Sequence, residues 1–145
     1  MVLREVLPTY IIINGPDFKM STPAGEPDPE FYFDSQYITG PVRRITYSVD
    51  WVDQGWGNLK GKIVTQLVRT NRRSKKETIL TSTHQPLGIA AHSRETKKGV
   101  LTDEDQLVSL ARAGHFYRFL RYAGGGGGHR LNVNKFEVVV ELQKE

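Results

Sequence analysis

Two segments of this chain alternate apolar and polar side chains with a period of two residues. Residues 45–51 place an apolar side chain at every odd position, and residues 136–142 place one at every even position. Successive side chains of a β-strand point to opposite faces of a sheet, so each segment is predicted to be a strand with one buried and one solvated face. The buried positions are Ile45, Tyr47, Val49 and Trp51 in the first, and Phe136, Val138, Val140 and Leu142 in the second.

The apolar positions change phase within the C-terminal segment. Leu131 and Val133 are odd-numbered, whereas the apolar set from Phe136 onward is even-numbered. One extra residue in a strand moves the following side chains to the other face of the sheet. A β-bulge or a bend between Val133 and Phe136 would therefore keep both sets on the same face.

Five further segments are rich in β-branched and aromatic residues and are also predicted to be strands. They are residues 6–13, 31–33, 62–70, 78–83 and 116–122. Residues 14–29 contain four of the seven prolines and two glycines, which predicts a long surface loop.

One short helix is predicted after Thr102, which would cap it, because the acidic residues that follow suit a first helical turn. Many short strands with almost no helix favour a sandwich or barrel over an α/β fold. The predicted fold class is therefore all-β, an antiparallel two-sheet sandwich of jelly-roll type with at most one short helix. Its length of 145 residues predicts a single domain over residues 1–145.

Composition narrows the classes of function. The chain has no cysteine, which excludes disulfides, thiolate nucleophiles, zinc–thiolate sites and iron–sulfur clusters. No segment reaches the roughly 18 consecutive apolar residues of a membrane-spanning helix, and no signal-peptide pattern is visible, so a cytoplasmic location is expected. The net charge of +4 is compatible with polyanion contact, but much of it lies in one short stretch.

A tryptophan-containing turn follows the first strand. Residues 50–58 hold two tryptophans, two aspartates and two side-chain amides. Sugar-binding pockets combine an aromatic face with planar polar groups, so a ligand-binding site is predicted at Asp53, Gln54, Trp56 and Asn58. The structural alternative is that Trp51 belongs to the core and that Asp53 and the glycines only form the turn.

A run of five glycines, residues 124–128, precedes His129. Glycines permit positive φ and close approach of a ligand or a neighbouring strand, so Gly126, Gly127, Gly128 and His129 are predicted to complete the ligand site. A phosphate-binding loop is not indicated, because a strand follows the glycines where such loops need a helix. The alternative is a flexible hairpin connection.

Five positive charges lie between residues 69 and 76. A solvated hairpin tip explains such a run, since charged residues suit turns and protect sheet edges. The alternative is polyanion binding, which would be salt-dependent and blind to sequence, because no aromatic residue lies within the run to stack on bases. Binding of nucleic acid is not expected. The residues of this alternative site are Arg69, Arg72, Arg73, Lys75 and Lys76.

Catalytic and metal-binding patterns are absent from the sequence. Asp50 and Asp53 would face opposite sides of a strand, and no G-x-S-x-G motif occurs, so an enzyme is not predicted. The four histidines are dispersed and show no metal-ligand spacing, so neither a metal site nor a cofactor is predicted.

Residues 42–142 resemble galactose-binding-domain-like, jelly-roll β-sandwich modules. The resemblance rests on the turn Asp53-Gln54-Gly55-Trp56, the stretch from Leu107 to Phe116, and the glycine-rich run before the last strand. Where such modules often have Gly-Asp, this chain has Gly114-His115. The resemblance implies loops at one end of a sandwich that bind carbohydrate or another small polar ligand without catalysis, with the tryptophan turn near the glycine turn.

The first functional hypothesis is therefore a non-catalytic, lectin-like module that binds carbohydrate. The second is a structural or assembly protein, such as a coat or scaffold subunit, whose jelly roll self-associates into a homo-oligomer. The third is polyanion binding through the basic hairpin.

Overall fold

The computed structural model describes residues 9–21, 28–125 and 128–143. Nine strands and one short helix occur in these ranges, which confirms the predicted all-β class. In chain order the elements are β1 (Tyr10–Asn14), β2 (Phe18–Ser21), β3 (Glu30–Asp34), β4 (Val42–Asp53), β5 (Lys62–Thr70), β6 (Glu77–Thr83), β7 (Glu95–Leu101), α1 (Gln106–Ser109), β8 (Phe116–Tyr122) and β9 (Arg130–Leu142). No helix in the described ranges is long and apolar enough to cross a membrane.

The strands form two antiparallel sheets that pack face to face. The first sheet has the order β1-β9-β4-β7, with β2 pairing the other half of β9, and the second has the order β3-β8-β5-β6. The pairs β1–β9, β3–β8, β4–β7 and β5–β6 are nested, as when one long hairpin is wound around a sandwich. This nested order is that of a jelly roll.

The core lies between the sheets and is built by the predicted alternation. The side chains of Tyr47, Val49 and Trp51 on β4 are at most 2% exposed. Phe136 and Val138 on β9 are each 1% exposed and belong to the same apolar cluster. The period of two residues therefore identified the inward faces of both central strands.

The predicted bulge is present in β9. Ser48 of β4 pairs with Glu137, and Asp50 pairs with Asn134, so two residues of β9 oppose one residue of β4. Lys135, within the bulge, has a φ of 53°. The extra residue returns the apolar side chains of β9 to the core face, which is why both phases of the sequence pattern are buried.

Three elements differ from the sequence predictions. Strand β2 lies within residues 14–29, where only a loop was predicted, and strand β7 was not predicted. Both are polar or short, and pairing with a neighbouring strand makes them extended. The helix is capped by Asp105 rather than Thr102, because the Asp105 carboxylate accepts the N–H of Leu107 at 2.8 Å. The N-terminal part of the strand predicted at 6–13 lies outside the described residues.

Candidate functional site

The carboxylate of Asp53 stabilises the tryptophan turn, residues 50–58, through a hydrogen bond to its backbone. Asp53 is the last residue of β4 and faces inward, and none of its side-chain surface is exposed. Its Oδ1 accepts the N–H of Gly55 at 2.7 Å and lies 2.9 Å from Nδ1 of His92. Gly55 has a φ of 88°, a conformation that the carboxylate stabilises. The Asp53 carboxylate, which was predicted to contact a ligand, is therefore bonded to the backbone of the turn and to His92.

Gln54 joins the tryptophan turn to the start of β9. Its amide nitrogen donates to the carbonyl oxygens of Trp56 and Asn58, the latter at 3.2 Å. Its amide oxygen accepts the N–H of Arg130 at 3.2 Å. Both ends of the amide are engaged by backbone, so Gln54 acts as a brace that fixes the exposed part of the turn.

Trp56 lies against the glycine-rich turn. Its side chain is 64% exposed, in contrast to the fully buried Trp51. A Cβ placed on Gly128 would lie 3.4 Å from Cη2 of Trp56, and Gly128 has a φ of 76°. The indole therefore borders bare backbone, and the two turns are neighbours, as the resemblance implied. Gly126 and Gly127 lie outside the described residues.

The ring of His129, which was predicted to contact a ligand, packs against the backbone of Gly124. A Cβ on Gly124 would lie 2.8 Å from Cγ of His129, so the ring occupies the space that a side chain at position 124 would fill. Gly124 has a φ of 127°, which L side chains rarely adopt. Nδ1 of His129 is buried and makes no hydrogen bond within the described residues. The first glycine of the run is thus required for packing.

A cleft of about 390 Å³ lies on the outer face of the first sheet, next to the tryptophan turn. Gln54 and Asp53 border it, but Trp56 and Asn58 do not. Lys19 and Arg130 supply two cations, and Oδ1 of Asn132 is buried there without a hydrogen bond from the described residues. The sequence did not indicate this cleft, because its walls come from β2, β4 and β9. The lining residues are Lys19, Met20, Ser21, Val52, Asp53, Gln54, Arg130, Leu131 and Asn132.

The basic run forms the predicted hairpin tip between β5 and β6. Oδ1 of Asn71 accepts the N–H of Arg73 at 2.9 Å and of Ser74 at 3.1 Å, which closes the turn. Lys75 has a φ of 61° at this turn. The five cationic residues of the run, 69, 72, 73, 75 and 76, are all exposed.

An aromatic residue from elsewhere in the chain lies beside this hairpin. Tyr37, in the connection between β3 and β4, is 62% exposed and borders a hollow of about 260 Å³ together with Arg72 and Lys75. The sequence argument found no aromatic side chain within the basic run. Tyr37 was missed because it is more than thirty positions away along the chain.

His115 directly precedes β8 and is partly buried beside two arginines. Partial burial, followed by the nearby charges of Arg69 and Arg112, lowers the pKa of His115 below its usual value. Its Nδ1 accepts the backbone N–H of Arg112 at 3.1 Å, which requires that nitrogen to be unprotonated. No group of three or more His, Asp or Glu side chains lies close enough to hold a metal in the described ranges.

Comparison with solved structures identifies similar folds. A chain in the structure of the Gx strain of infectious bursal disease virus matches 94% of this chain and 32% of its own length, with 11% identity and a TM-score of 0.58. VP2 in a subviral particle of that virus matches 94% of this chain and 33% of its own chain, with 9% identity and a TM-score of 0.52. The Eiger TNF of S. frugiperda matches 95% of this chain and 94% of its own, with 13% identity and a TM-score of 0.45.

The likenesses to the two virus structures establish the β-sandwich fold, and this chain spans about a third of the length of those two chains. They give no support to the specific resemblance to galactose-binding domains. No family model and no curated protein matches the sequence.

Proposed function

We propose that this chain is a non-catalytic structural protein whose jelly roll associates with further copies of itself. The observation that carries the proposal is the likeness of nearly the whole sandwich to VP2, which has been solved as a subviral particle and as T=1 particles. Jelly rolls suit this role because a rigid two-layer block offers broad, flat faces for packing.

Exposed apolar side chains on the strands support self-association. Ile12 on β1 and Val100 on β7 are 58% and 51% exposed, although both lie in regular strands. Exposed apolar residues are common singly, but large ones on sheet faces and edges are typical of surfaces that pack against other molecules.

Sedimentation velocity over a range from about 10 μM to 1 mM, with electron microscopy of the concentrated sample, tests the proposal. We expect the sedimentation coefficient to rise with concentration and discrete particles or oligomers to form. A species that stays monomeric throughout this range contradicts the proposal.

A second candidate is binding of carbohydrate at the tryptophan turn. The observation in its favour is the exposed indole of Trp56, which borders Gly128 and is fixed by the Gln54 brace. An exposed aromatic ring can cover the apolar face of a sugar. Glycan-array binding that is lost in Trp56→Ala, with the near-ultraviolet circular dichroism of Trp51 retained, would support this function. An array without signal contradicts it.

A further inference from the structure

An apolar row, interrupted by one threonine, crosses the outer face of the first sheet from one edge to the other. Ile12 of β1 pairs with Val139 of β9, Val139 pairs with Thr46 of β4, and Thr46 pairs with Val100 of β7. The four side chains point away from the core, since their neighbours along each strand point into it. Ile12 and Val100, at the two ends, are 58% and 51% exposed.

The outer face of the second sheet is different. There Arg118 makes two-nitrogen contacts with the carboxylates of Asp34 and Glu77. These ion pairs lie among the exposed side chains of Phe31 and Ile79, which are 57% and 53% exposed, whereas the row on the first sheet runs from one edge to the other without a charged residue. A single apolar row through a polar face is the arrangement expected of a packing surface.

Charged and polar positions flank the row on both sides. On one side Glu141 of β9 lies between Arg43 and Arg44 of β4, with 3.6 Å between its Oε2 and Nη1 of Arg44. The Glu141 side chain is 11% exposed and that of Arg44 is 47% exposed, so Arg44 is the more accessible member of the pair. On the other side Glu137 of β9 lies beside Ser48 of β4, which pairs with Lys98 of β7. Acidic side chains therefore lie on β9 along both flanks, and cationic ones lie on β4 and β7.

We propose that this face packs against the same face of a second copy, related by a two-fold axis parallel to the strands. The proposal rests on the self-association proposed above and names the surface that mediates it. In this arrangement β9 of one copy lies over β4 of the other, and β1 lies over β7. Ile12 then meets Val100 of the second copy, and Glu141 meets Arg44.

Charge selects this orientation over the other face-to-face dimer. An axis perpendicular to the strands, in the plane of the interface, would place β9 over β9 and bring Glu141 against Glu137 of the second copy twice. Like charges in contact across an interface are unfavourable, whereas the axis parallel to the strands gives two Glu141–Arg44 contacts. Both arrangements keep the sheets aligned, so strand direction does not decide between them.

The expected affinity follows from the size of the face. Three outward rows across four strands cover roughly 20 by 20 Å at ordinary strand and residue spacing. Two copies would bury about 800 Å² in total, which is below the roughly 1,200 Å² of stable specific interfaces and within the range of weak, transient ones, so dissociation constants in the high micromolar range are expected. Such contacts hold an assembly together when many are made at once.

Val100→Lys tests the apolar row, and Ile79→Lys is its matched control. Both positions lie on edge strands and are exposed by 51% and 53%, but Ile79 is on the second sheet. We expect Val100→Lys to weaken association at least tenfold in sedimentation velocity, and Ile79→Lys to leave it within twofold of wild type. Far-ultraviolet circular dichroism checks that both variants fold.

Two charge variants test the orientation. Arg44→Glu should weaken association, because it would place a carboxylate against Glu141 of the second copy. Glu137→Lys should change it by less than about threefold, since position 137 faces Ser48 in the proposed dimer.

If wild type remains monomeric at 1 mM or so, self-association itself is contradicted along with this surface. Association of wild type that Val100→Lys leaves unchanged overturns the surface but not the proposed function. Association that Glu137→Lys strengthens markedly overturns the orientation, because only the perpendicular axis places residue 137 against Glu141.

Discussion

The hydroxyl groups of Tyr47 and Thr65 lie 2.8 Å apart and form a hydrogen bond between the two sheets. Tyr47 is on β4 of the first sheet and Thr65 is on β5 of the second, and both are at most 2% exposed. Burial raises the pKa of Tyr47 well above its usual range, so the hydroxyl stays protonated. This bond is therefore a specific polar contact that joins the two sheets within the core.

Removing both partners of this bond should destabilise the fold by less than the sum of the two single removals. Thr65→Val leaves the Tyr47 hydroxyl buried without a partner, which costs about 1–3 kcal/mol. We expect the double variant Tyr47→Phe/Thr65→Val to lose clearly less than the sum of the two single changes. Urea unfolding of all four proteins measures the coupling, and strictly additive losses would show that the hydroxyls do not interact.

His115 should make stability depend on pH below neutrality. Its folded-state pKa is lowered, mainly by partial burial, so the unfolded chain binds a proton at higher pH than the folded chain. This contribution is fully present above about pH 6.5, the usual value for histidine, and is lost as pH falls below it toward the folded pKa.

Urea unfolding of wild type and His115→Gln at several values between about pH 5 and 7.5 checks this. We expect wild type to lose stability more steeply than His115→Gln as the pH is lowered. His84→Gln controls for the loss of a histidine as such. Equal slopes for wild type and His115→Gln contradict the prediction.

Gly124 should not tolerate a side chain, whereas Gly40 should. Alanine at 124 would combine a φ of 127° with a Cβ 2.8 Å from the His129 ring, and we expect a loss of about 1–3 kcal/mol. Nothing lies within 4 Å of a Cβ on Gly40, so Gly40→Ala should change stability by no more than about 0.5 kcal/mol. Thermal unfolding compares them. Equal effects would mean that the glycine run is an interchangeable linker.

The basic hairpin can be tested by retention on heparin. If it binds polyanions, Arg72→Ala/Lys75→Ala should elute at lower salt and reduce the salt dependence by about one unit per cation removed. Lys19→Ala/Arg130→Ala removes the same charge from the cleft beside the tryptophan turn and is the matched control. Equal losses in both variants would show that net charge, rather than this hairpin, determines retention.

The sequence alone determined which faces of the central strands are buried. Alternation around Tyr47 and Val138 is a local property, because side-chain direction repeats every two residues whatever the strand pairs with. For the same reason the phase change before Phe136 was enough to predict the bulge, and the basic run at residues 69–76 between two predicted strands was enough to predict a hairpin tip.

Only the tertiary structure determined which strands pair and which residues from distant parts of the chain become neighbours. Strand β7 is extended because β4 pairs with it, and its own polar sequence carries no such signal. The contact of Trp56 with Gly128, the position of Tyr37 beside the hairpin, and the row from Ile12 to Val100 all join residues far apart in the chain. Strand order and register set these neighbours, and both result from the global packing of two sheets rather than from any local pattern.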